Sequence, residues 1–489
     1  ARLGENYADA RRLYRYLWLG YSLALTVLGV RQMLTFLLLS PQALGAPSAT
    51  LLANGLALLA IGLPIWRFTQ ALIDRSLSDR AEALSWLRLA FLYAVTWLGM
   101  FLTLYQLGKV GELILRLVFG ESLSLTQSLQ FLRPAVATAI PGGVVWAWYG
   151  WQRQQAVQQR EAPLLQRALE RFHATIVASA ALLVILLGSA RLLAFVINQI
   201  FGSSSTFSES GRGELSAALA SLAIAIPVWW HYWRPLQQEA AQPGEVGDHA
   251  RRSLVRKGML YLWIFVGVVG MMFASGSFFF EILRAVLGTP PENLALESLL
   301  RLRLTLIFLT VLIYHILALR RDQRLAAASL AARQADYPVL IWLPKESPIA
   351  RELQDTLRKE APHLPVFWLE ANQQPSEMQW NQAKALVISS QALETAPADG
   401  ARPWHTFVGQ RLVIPDSQGD WYWVGGSTLS VATLARQTAR ALRLLAEGQA
   451  PPRQSDNALL TSIAYVLAVL FLLQFGLVIL FGGIAPLVD

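Results

Sequence analysis

Long apolar segments dominate the chain up to about residue 320 and return once near its end. A helix needs about 20 apolar residues to cross a bilayer core of about 30 Å. Nine segments approach or exceed this length, and we predict transmembrane helices at 14–38, 51–69, 86–108, 131–151, 170–192, 213–233, 256–280, 299–320 and 457–482. The pattern therefore predicts a polytopic α-helical membrane protein with nine membrane-spanning helices.

The first eight segments form a two-helix unit that recurs four times. Its first helix, here called helix A, starts at a basic amphipathic edge and reaches a small residue. These small residues are Gly29, Gly108, Gly188, and Ser275 or Gly276. Its second helix, helix B, carries a proline followed by aromatic residues, at Pro64, Pro141 and Pro227, but Val311 stands there in the fourth unit. Self-similarity at a fixed interval indicates a repeated supersecondary unit. Because two membrane helices return the chain to its starting side, we expect four parallel units.

The pattern changes at Tyr337, where short apolar runs begin to alternate with amphipathic helical segments. The runs have the length of buried strands and lie at 339–343, 366–369, 385–389 and 412–414. Ser347 and Pro348 are typical of the start of a helix, and Ser427 or Thr428 is expected to cap another helix that ends near Leu445. The alternation predicts a small α/β domain with a mostly parallel sheet.

The domain boundaries follow from these patterns. The four repeats are predicted at 1–80, 81–160, 161–245 and 246–325, a helical linker that prolongs the eighth helix at 326–336, the α/β domain at 337–449, and a linker with the C-terminal membrane helix at 450–489.

Composition and charge agree with a membrane protein and give it an orientation. The chain is 54% hydrophobic and 15% charged, whereas a soluble domain carries about 25% charged residues. Its formal charge of +9 comes from Lys and Arg concentrated in the N-terminal segment and in the loops 67–88, 152–171, 234–257 and 320–324. Since basic loops stay inside, we expect the basic side of the membrane to be the cytoplasmic side. The N-terminus and the α/β domain would be cytoplasmic and the C-terminus outside. The charge then needs no nucleic-acid partner, and the expected partners are the lipid bilayer and protein subunits of a larger complex.

A resemblance to a known family rests on the repeat. The Gly-terminated helix A, the Pro-x-Trp sequence at Pro64 and Pro227, and Trp233 followed by Gln237 resemble the bacterial membrane family catalogued as domain of unknown function 5671 (DUF5671). The resemblance covers about 1–325 as two tandem copies, and it implies that the membrane is the bacterial cytoplasmic (inner) membrane. It implies no activity, cofactor or site residue, and the absence of the proline in the fourth unit departs from the pattern.

Charged residues recur near the far end of helix A. They are Arg31, Lys109, Glu112, Arg191, Glu281 and Arg284. Each lies far enough past the cytoplasmic edge to reach the outer interface, at 1.5 Å per residue. The stretches that follow are then expected to be amphipathic helices in the headgroup region. The alternative is that the charged residues form a buried ion or proton pathway.

The helix B prolines are expected to kink helices close to the cytoplasmic side. The alternative is a substrate site between broken helices.

Candidate ligand-binding residues are few. No catalytic constellation or metal-ligand spacing is found, and the absence of cysteine excludes disulfides and thiolate sites. His231 and His315 fall at equivalent places and could ligate a haem or chlorophyll, although a histidine at the basic edge is also simply amphipathic. In the α/β domain, Lys345 follows the first strand and Ser427 precedes the last helix, where open sheets and helix N-termini bind ligands. Turn and capping roles explain both residues equally. No cofactor is identified.

Three functions are compatible with the sequence. The first is a non-enzymatic membrane scaffold, or an accessory subunit of a larger membrane complex, whose cytoplasmic α/β domain binds a protein or a ligand. The second is a transporter or channel built from parallel repeats. The third is a membrane-tethered nucleotide sensor or enzyme. The lack of central charges, metal sets and nucleophile constellations in the sequence favours the first.

Overall fold

The computed structural model describes residues 2–39, 45–202, 209–343, 347–369, 375–390, 406–415, 430–448 and 451. The chain divides into two compact units. The first contains Ala1–Ala240 and Arg252–Ala318, and the second contains Ala241–Arg251 and Leu319–Phe471.

Within the described residues, long helices make up the first part of the chain. They are α1 (Arg2–Leu37), α2 (Ala46–Ser76), α4 (Trp86–Val118), α5 (Leu125–Gln158), α6 (Pro163–Phe201), α7 (Glu209–Ala241), α9 (Leu254–Val286) and α10 (Leu294–Ala335). Two short helices, α3 (Arg80–Ala83) and α8 (Gly244–Arg252), lie in the connections between repeats. The order agrees with alternating A and B helices.

Seven helical segments are long and apolar enough to cross a membrane. They are Ala8–Leu37, Ser48–Ser76, Arg80–Val118, Pro163–Phe201, Gly211–Ala241, Leu254–Val286 and Leu294–Ala335. Helix α5 contains the predicted span 131–151 but is not among them; it carries Arg133, Arg153 and two internal prolines. The ninth predicted span, 457–482, lies outside the described residues. Several long apolar helices thus support a membrane protein.

Helices A and B of each unit pack closely at a glycine. A Cβ atom on Gly62 would lie 2.8 Å from the Thr26 nitrogen, one on Gly99 2.9 Å from the Gly142 oxygen, one on Gly188 2.7 Å from Ser221 Oγ, and one on Gly267 2.9 Å from Leu312 Cβ. Small residues let helix backbones approach in this way. The same device therefore closes all four helix pairs.

Matching contacts join these pairs two by two. Trp66 Nε1 donates a hydrogen bond to the Tyr149 hydroxyl at 3.0 Å, which links α2 to α5. Trp233 Nε1 donates to the Tyr314 hydroxyl at 2.5 Å, which links α7 to α10. We call α1, α2, α4 and α5 the N-terminal bundle, and α6, α7, α9 and α10 the C-terminal bundle.

The expected amphipathic helices after Glu112 and Glu281 are the last turns of α4 and α9, so this prediction was wrong. Both helices run on without a break and end in the same way. Gly120 and Gly288 have φ of 76° and 85°, and the next N–H bonds back to the carbonyl of Arg116 or Arg284 at 3.0 and 3.1 Å. A glycine in the left-handed conformation allows the terminal carbonyls of a helix to be hydrogen-bonded. Each helix therefore ends, and the chain reverses direction, at its glycine.

The second unit contains a parallel sheet, as the alternation of short runs predicts. Its strands are β1 (Val339–Trp342), β2 (Val366–Leu369), β3 (Ala385–Ser389) and β4 (Gln410–Ile414), in the order β2-β1-β3-β4. The described helices are α11 (Pro348–Glu360), α12 (Glu377–Gln382) and α13 (Val431–Ala446). The central strands β1 and β3 are fully buried, which accounts for their uninterrupted apolar sequences.

Each face of the sheet has its own core. Val339 and Ile341 pack with α11 and α13 on one face, and Leu340 packs with Phe407 and Trp380 on the other.

Ser347 and Pro348 open α11 as predicted. The cap of α13 is Ser430, whose Oγ accepts from the Thr433 N–H at 3.3 Å, and not Ser427 or Thr428. The correction places the start of the helix a few residues later.

Helix α8 is tied to the end of α10 through a buried carboxylate. Asp248 accepts from Ser329 Oγ at 2.5 Å and from Arg251 Nη2 at 2.5 Å, and it pairs with Arg333. Arg333 also donates to the Glu447 carbonyl at the end of α13, at 3.4 Å. Burial raises the pKa of the Asp248 carboxyl, but these hydrogen bonds and the two cations lower it by more, so that it lies below its ordinary value. The connection between repeats three and four is therefore anchored within the second unit.

Candidate functional site

The two bundles meet where α4 of the N-terminal bundle packs on α6. The Tyr93 hydroxyl donates to the Leu169 carbonyl at 3.0 Å, and Trp97 Nε1 donates to His173 Nδ1 at 2.9 Å. The rings of Trp97 and His173 stack with centroids 6.2 Å apart. Since Nδ1 accepts a hydrogen bond, the His173 imidazole is neutral in this arrangement. We call this contact the bundle junction. Sequence reasoning did not single out His173, because a lone histidine in an apolar helix gives no pattern.

A cavity of about 590 Å³ lies beside the bundle junction, between α4, α6 and α7. Most of its wall is apolar and includes Phe101, Leu104, Val184, Ile224 and Val228. Pockets that bind small molecules have volumes of about 300–1,000 Å³ and mainly apolar walls. The size and lining of this cavity are therefore those of a ligand site.

One end of the cavity is charged. Lys109, Glu112 and Arg191 line it there, and all three belong to the residues singled out from the sequence. The Glu112 carboxylate is buried and fully engaged: Lys109 Nζ lies 2.9 Å from one oxygen and Arg116 Nη2 lies 2.8 Å from the other. Arg116 also pairs with Glu121 at 3.4 Å, so Lys109 and Arg116 are balanced by two carboxylates, and the positive charge that remains in the cavity lining comes from Arg191.

Arg191 is the cation that is left over. Its side chain is exposed and makes no hydrogen bond or ion pair with any residue that the structure describes. An arginine guanidinium offers five donors in a planar fork that suits carboxylate and phosphate groups. Arg191 therefore provides the cavity with an uncommitted site for an anion.

The charged end is also tied across the junction. Arg212, at the start of α7, donates from Nη1 to the Gly120 carbonyl at the end of α4, at 2.6 Å. Arg116 stands directly beside Gly213, where a Cβ atom would come within 2.9 Å of its guanidinium. These contacts join the two bundles next to the positive end.

In the C-terminal bundle, the equivalent segment of α9 lines a smaller cavity. Its volume is about 400 Å³, and its lining includes Met272, Phe273, Gly276, Ser277 and Glu281. When Arg256 is aligned with Arg88, Gly267 with Gly99, and Gly288 with Gly120, these residues fall at or next to Leu104, Tyr105, Gly108, Lys109 and Glu112. The two cavities therefore use equivalent positions, but only the first is closed by α6 and α7.

Two of the four predicted ligand-binding residues, His231 and His315, lie within the described part of the chain. His231 is exposed and meets the ring of Tyr232 edge-on at 5.0 Å. His315 is buried, hydrogen-bonds through Nδ1 to the Val311 carbonyl at 2.7 Å, and stacks on Trp263. Cofactor ligation by either histidine stays a prediction. Lys345 and Ser427 lie outside the described residues. Among the described residues, no group of three or more His, Asp or Glu side chains could hold a metal ion.

Comparison with known proteins gives a family for the membrane part. The family model described as domain of unknown function (DUF5671) matches residues 12–144 and 171–314, which together are more than half of the chain. The first match falls on the N-terminal bundle and the second on the C-terminal bundle. No curated protein and no solved structure matches the chain.

Proposed function

The chain belongs to the DUF5671 family with two tandem copies, and we propose that it is a non-enzymatic membrane scaffold that holds an amphiphilic anion between them. The ligand would have an apolar body in the cavity beside the bundle junction and an anionic head at Arg191. The observation that carries the proposal is the combination of an apolar cavity with an uncommitted guanidinium at one end.

The shape of the cavity supports a ligand with two chemically different ends. Along α4, its lining runs from Phe101 to Glu112, a rise of roughly 16 Å at 1.5 Å per residue. Apolar side chains occupy most of this length, and Lys109 and Arg191 lie at the far end. An anionic lipid fits this distribution better than a small polar solute, because a polar solute would leave the apolar wall without a partner.

Within this proposal the membrane part has four parallel two-helix repeats followed by a ninth helix at 457–482. The N-terminus and the α/β domain face the cytoplasm, because the loops on that side carry most of the Lys and Arg residues. The charged end of the cavity then lies toward the outer leaflet. The α/β domain would bind a protein subunit or a small ligand on the cytoplasmic side.

Transport is the second candidate, and the cavity itself favours it. A site between helices of two repeats is where membrane carriers bind their substrates. The third function, a nucleotide sensor or enzyme, rests on residues 344–347 after the first strand and on 425–427 before the last helix. Of these residues only Ser347 lies in the described part of the chain.

Lipid binding can be measured on the full chain by native mass spectrometry in mild detergent, with phosphatidylglycerol and phosphatidylcholine as probes. We expect one tightly held phosphatidylglycerol and a weaker adduct with phosphatidylcholine. Arg191→Gln should reduce retention of phosphatidylglycerol about tenfold, the loss expected for one charge-assisted contact of about 1.4 kcal/mol. Arg67→Gln, which removes an exposed arginine of α2 away from the cavity, is the matched control.

A second pair of variants tests the apolar wall. Ala180→Leu fills the cavity from α6, whereas Ala194→Leu adds the same volume to α6 outside its lining. Only the first should lower retention of phosphatidylglycerol. Equal binding of both lipids to all variants would contradict the proposal. Movement of fluorescent phosphatidylglycerol between leaflets of reconstituted vesicles, sensitive to Arg191→Gln, would favour transport instead.

A further inference from the structure

The bundle junction has two sides, and each side has a counterpart at an end of the helical region. One side is formed by α4, whose equivalent in the C-terminal bundle is α9. The other side is formed by α6 and α7, whose equivalents in the N-terminal bundle are α1 and α2. Arg12 of α1 and Arg171 of α6 mark this second equivalence, because each lies in the N-terminal part of a helix A and pairs with a glutamate. The partners are Glu82 on α3, at 3.1 Å, and Glu239 in the last turn of α7, at 2.7 Å.

Side chains at equivalent positions are buried at the bundle junction but exposed on α9 and α1, at the two ends of the helical region. On the α4 side, Tyr93 and Met100 are 4% and 1% exposed, whereas Tyr261 and Val268 on α9 are 55% and 45% exposed. The residues of α4 and α9 that face their own bundles are buried alike, for example Arg88 and Arg256. The difference is therefore confined to the face that the neighbouring bundle covers.

The same separation holds on the other side. On α6, His173 and Val177 are 7% and 1% exposed, whereas Tyr14 and Trp18 at their places on α1 are 63% and 40% exposed. Inward-facing positions such as Leu19 and Ala178 are buried in both helices. The helical region thus ends in two surfaces that match the two halves of its internal junction.

From this match we propose that a second copy of this chain docks head to tail, with its α1 and α2 against α9 of the first. Charge complementarity favours this occupant over lipid alone. Arg31 on α1 lies near the place of Arg191 and makes no side-chain hydrogen bond or ion pair with any residue in the described ranges. Glu281 on α9 is buried, and its Oε2 has no hydrogen-bond partner but lies 3.7 Å from Arg284 Nη1.

Docking would place these two groups at one end of a shared cavity. The open cavity at Met272 and Gly276 would be closed by the second copy, just as α6 and α7 close the internal one. Gly276 has no neighbour within 4 Å of a Cβ position, so a helix can approach there. Such an interface is heterologous, and repeated docking gives a closed ring or an open row of copies. This inference does not depend on the identity of the ligand in the internal cavity.

Cysteine cross-linking tests the contact directly, because the chain contains no cysteine. In the junction, the rings of Tyr93 and Phe172 have centroids 6.1 Å apart, and their counterparts on the end faces are Tyr261 and Leu13. Full-length chains with Leu13→Cys and chains with Tyr261→Cys are produced together and oxidised in isolated membranes. We expect a cross-linked dimer from the mixture and none from either variant alone, because the two surfaces differ.

Two controls keep the test decisive. Replacing Tyr261→Cys by Phe68→Cys, an exposed position on α2, should abolish the dimer; its persistence would mean random collision and would overturn the proposal. A disulfide within one chain, between Tyr261→Cys and a cysteine in the predicted helix 457–482, would assign the surface to that helix and would also overturn it.

Charge reversal provides an independent readout. In the cross-linking mixture, Arg31→Glu should lower the dimer yield about tenfold. Glu281→Arg should lower it similarly, and the two changes together should restore it. Restoration requires that both variants fold and that the charges meet between chains. Equal yields for all combinations would show that these charges do not face each other and would contradict head-to-tail docking.

Discussion

In the N-terminal bundle the outer face of α4 is covered by α6 and α7, whereas in the C-terminal bundle the equivalent face of α9 is open. The two bundles share their helix order, the glycine contacts between helices A and B, and the Trp–Tyr hydrogen bond between their B helices. The comparison separates what each copy needs for its own fold from what it uses to bind a neighbour. Contacts of the first kind occur in both bundles, whereas among the described residues contacts of the second kind are seen at the bundle junction alone.

The largest effect is expected where the bundles are alike. Gly99→Leu would push a side chain into the backbone of α5, since a Cβ atom there already lies 2.9 Å from the Gly142 oxygen and the Trp146 nitrogen. We expect a loss of about 3 kcal/mol in the free energy of unfolding, measured by denaturant titration in detergent. Gly267→Leu should cost a similar amount in the C-terminal bundle, but Gly276→Leu should be tolerated because that position is open. An equal loss of unfolding free energy for Gly276→Leu would contradict the distinction between glycines at helix contacts and glycines at open positions.

A smaller effect is expected where the bundles differ. Tyr93→Phe removes the hydrogen bond to the Leu169 carbonyl at the bundle junction, and should lower the free energy of unfolding by about 1 kcal/mol. Tyr261→Phe makes the same change at the equivalent exposed position of α9 and should leave stability unchanged in isolated monomers. The midpoint of thermal unfolding in dilute detergent measures both. A matching loss for Tyr261→Phe in monomers would mean that α9 has a partner within its own chain.

The smallest effect concerns the connections between repeats, which differ in their acidic residues. In the N-terminal bundle Glu82 pairs with Arg12, whereas the corresponding connection in the C-terminal bundle carries Asp248 on α8. Because the folded pKa of Asp248 is lowered, its contribution to stability is present above the unfolded pKa of about 3.9 and is lost as the pH falls through the folded value. The protection of residues 244–252 against hydrogen exchange, measured relative to the intrinsic exchange rate at each pH, should therefore fall below about pH 4.

Asp248→Asn provides the control for this prediction. It keeps the size of the side chain but removes the charge that Arg251 and Arg333 face, so exchange of α8 should become fast already at neutral pH. Protection that is unchanged in Asp248→Asn would show that apolar contacts, and not the carboxylate, hold α8 in place.

Much of the fold could be predicted because the apolar segments are long and the strand runs are short and uninterrupted. The continuation of the eighth helix to Ala335, the four parallel strands and the start of α11 at Pro348 were confirmed. The tandem family copies were confirmed as well. The predicted ends of α4 and α9 were too early. Both helices continue through their charged residues, because side chains such as Glu112 find partners one turn away on the same helix.

The candidate site was predicted only in pieces. Sequence periodicity marked Lys109, Glu112 and Arg191 as recurring charges, but they were expected at the outer interface and not around a shared cavity. Their assembly depends on how α4 packs against α6 and α7, and no local pattern encodes a contact between residues so distant in the chain. His173 was missed for the same reason, since its partner Trp97 lies on another helix, 2.9 Å away only in the folded protein.

The sequence by itself determined the membrane character, the tandem repeat and the parallel sheet, because each follows from the periodic placement of apolar residues along one segment. Only the tertiary structure decided which faces of equivalent helices are covered by a neighbouring bundle. Tyr93 and Tyr261 occupy equivalent positions in similar helices, yet one is buried by a neighbouring bundle and the other is exposed. The burial of a side chain depends on which helices pack against it. In a row of repeats, the last repeat has a face that no following repeat covers.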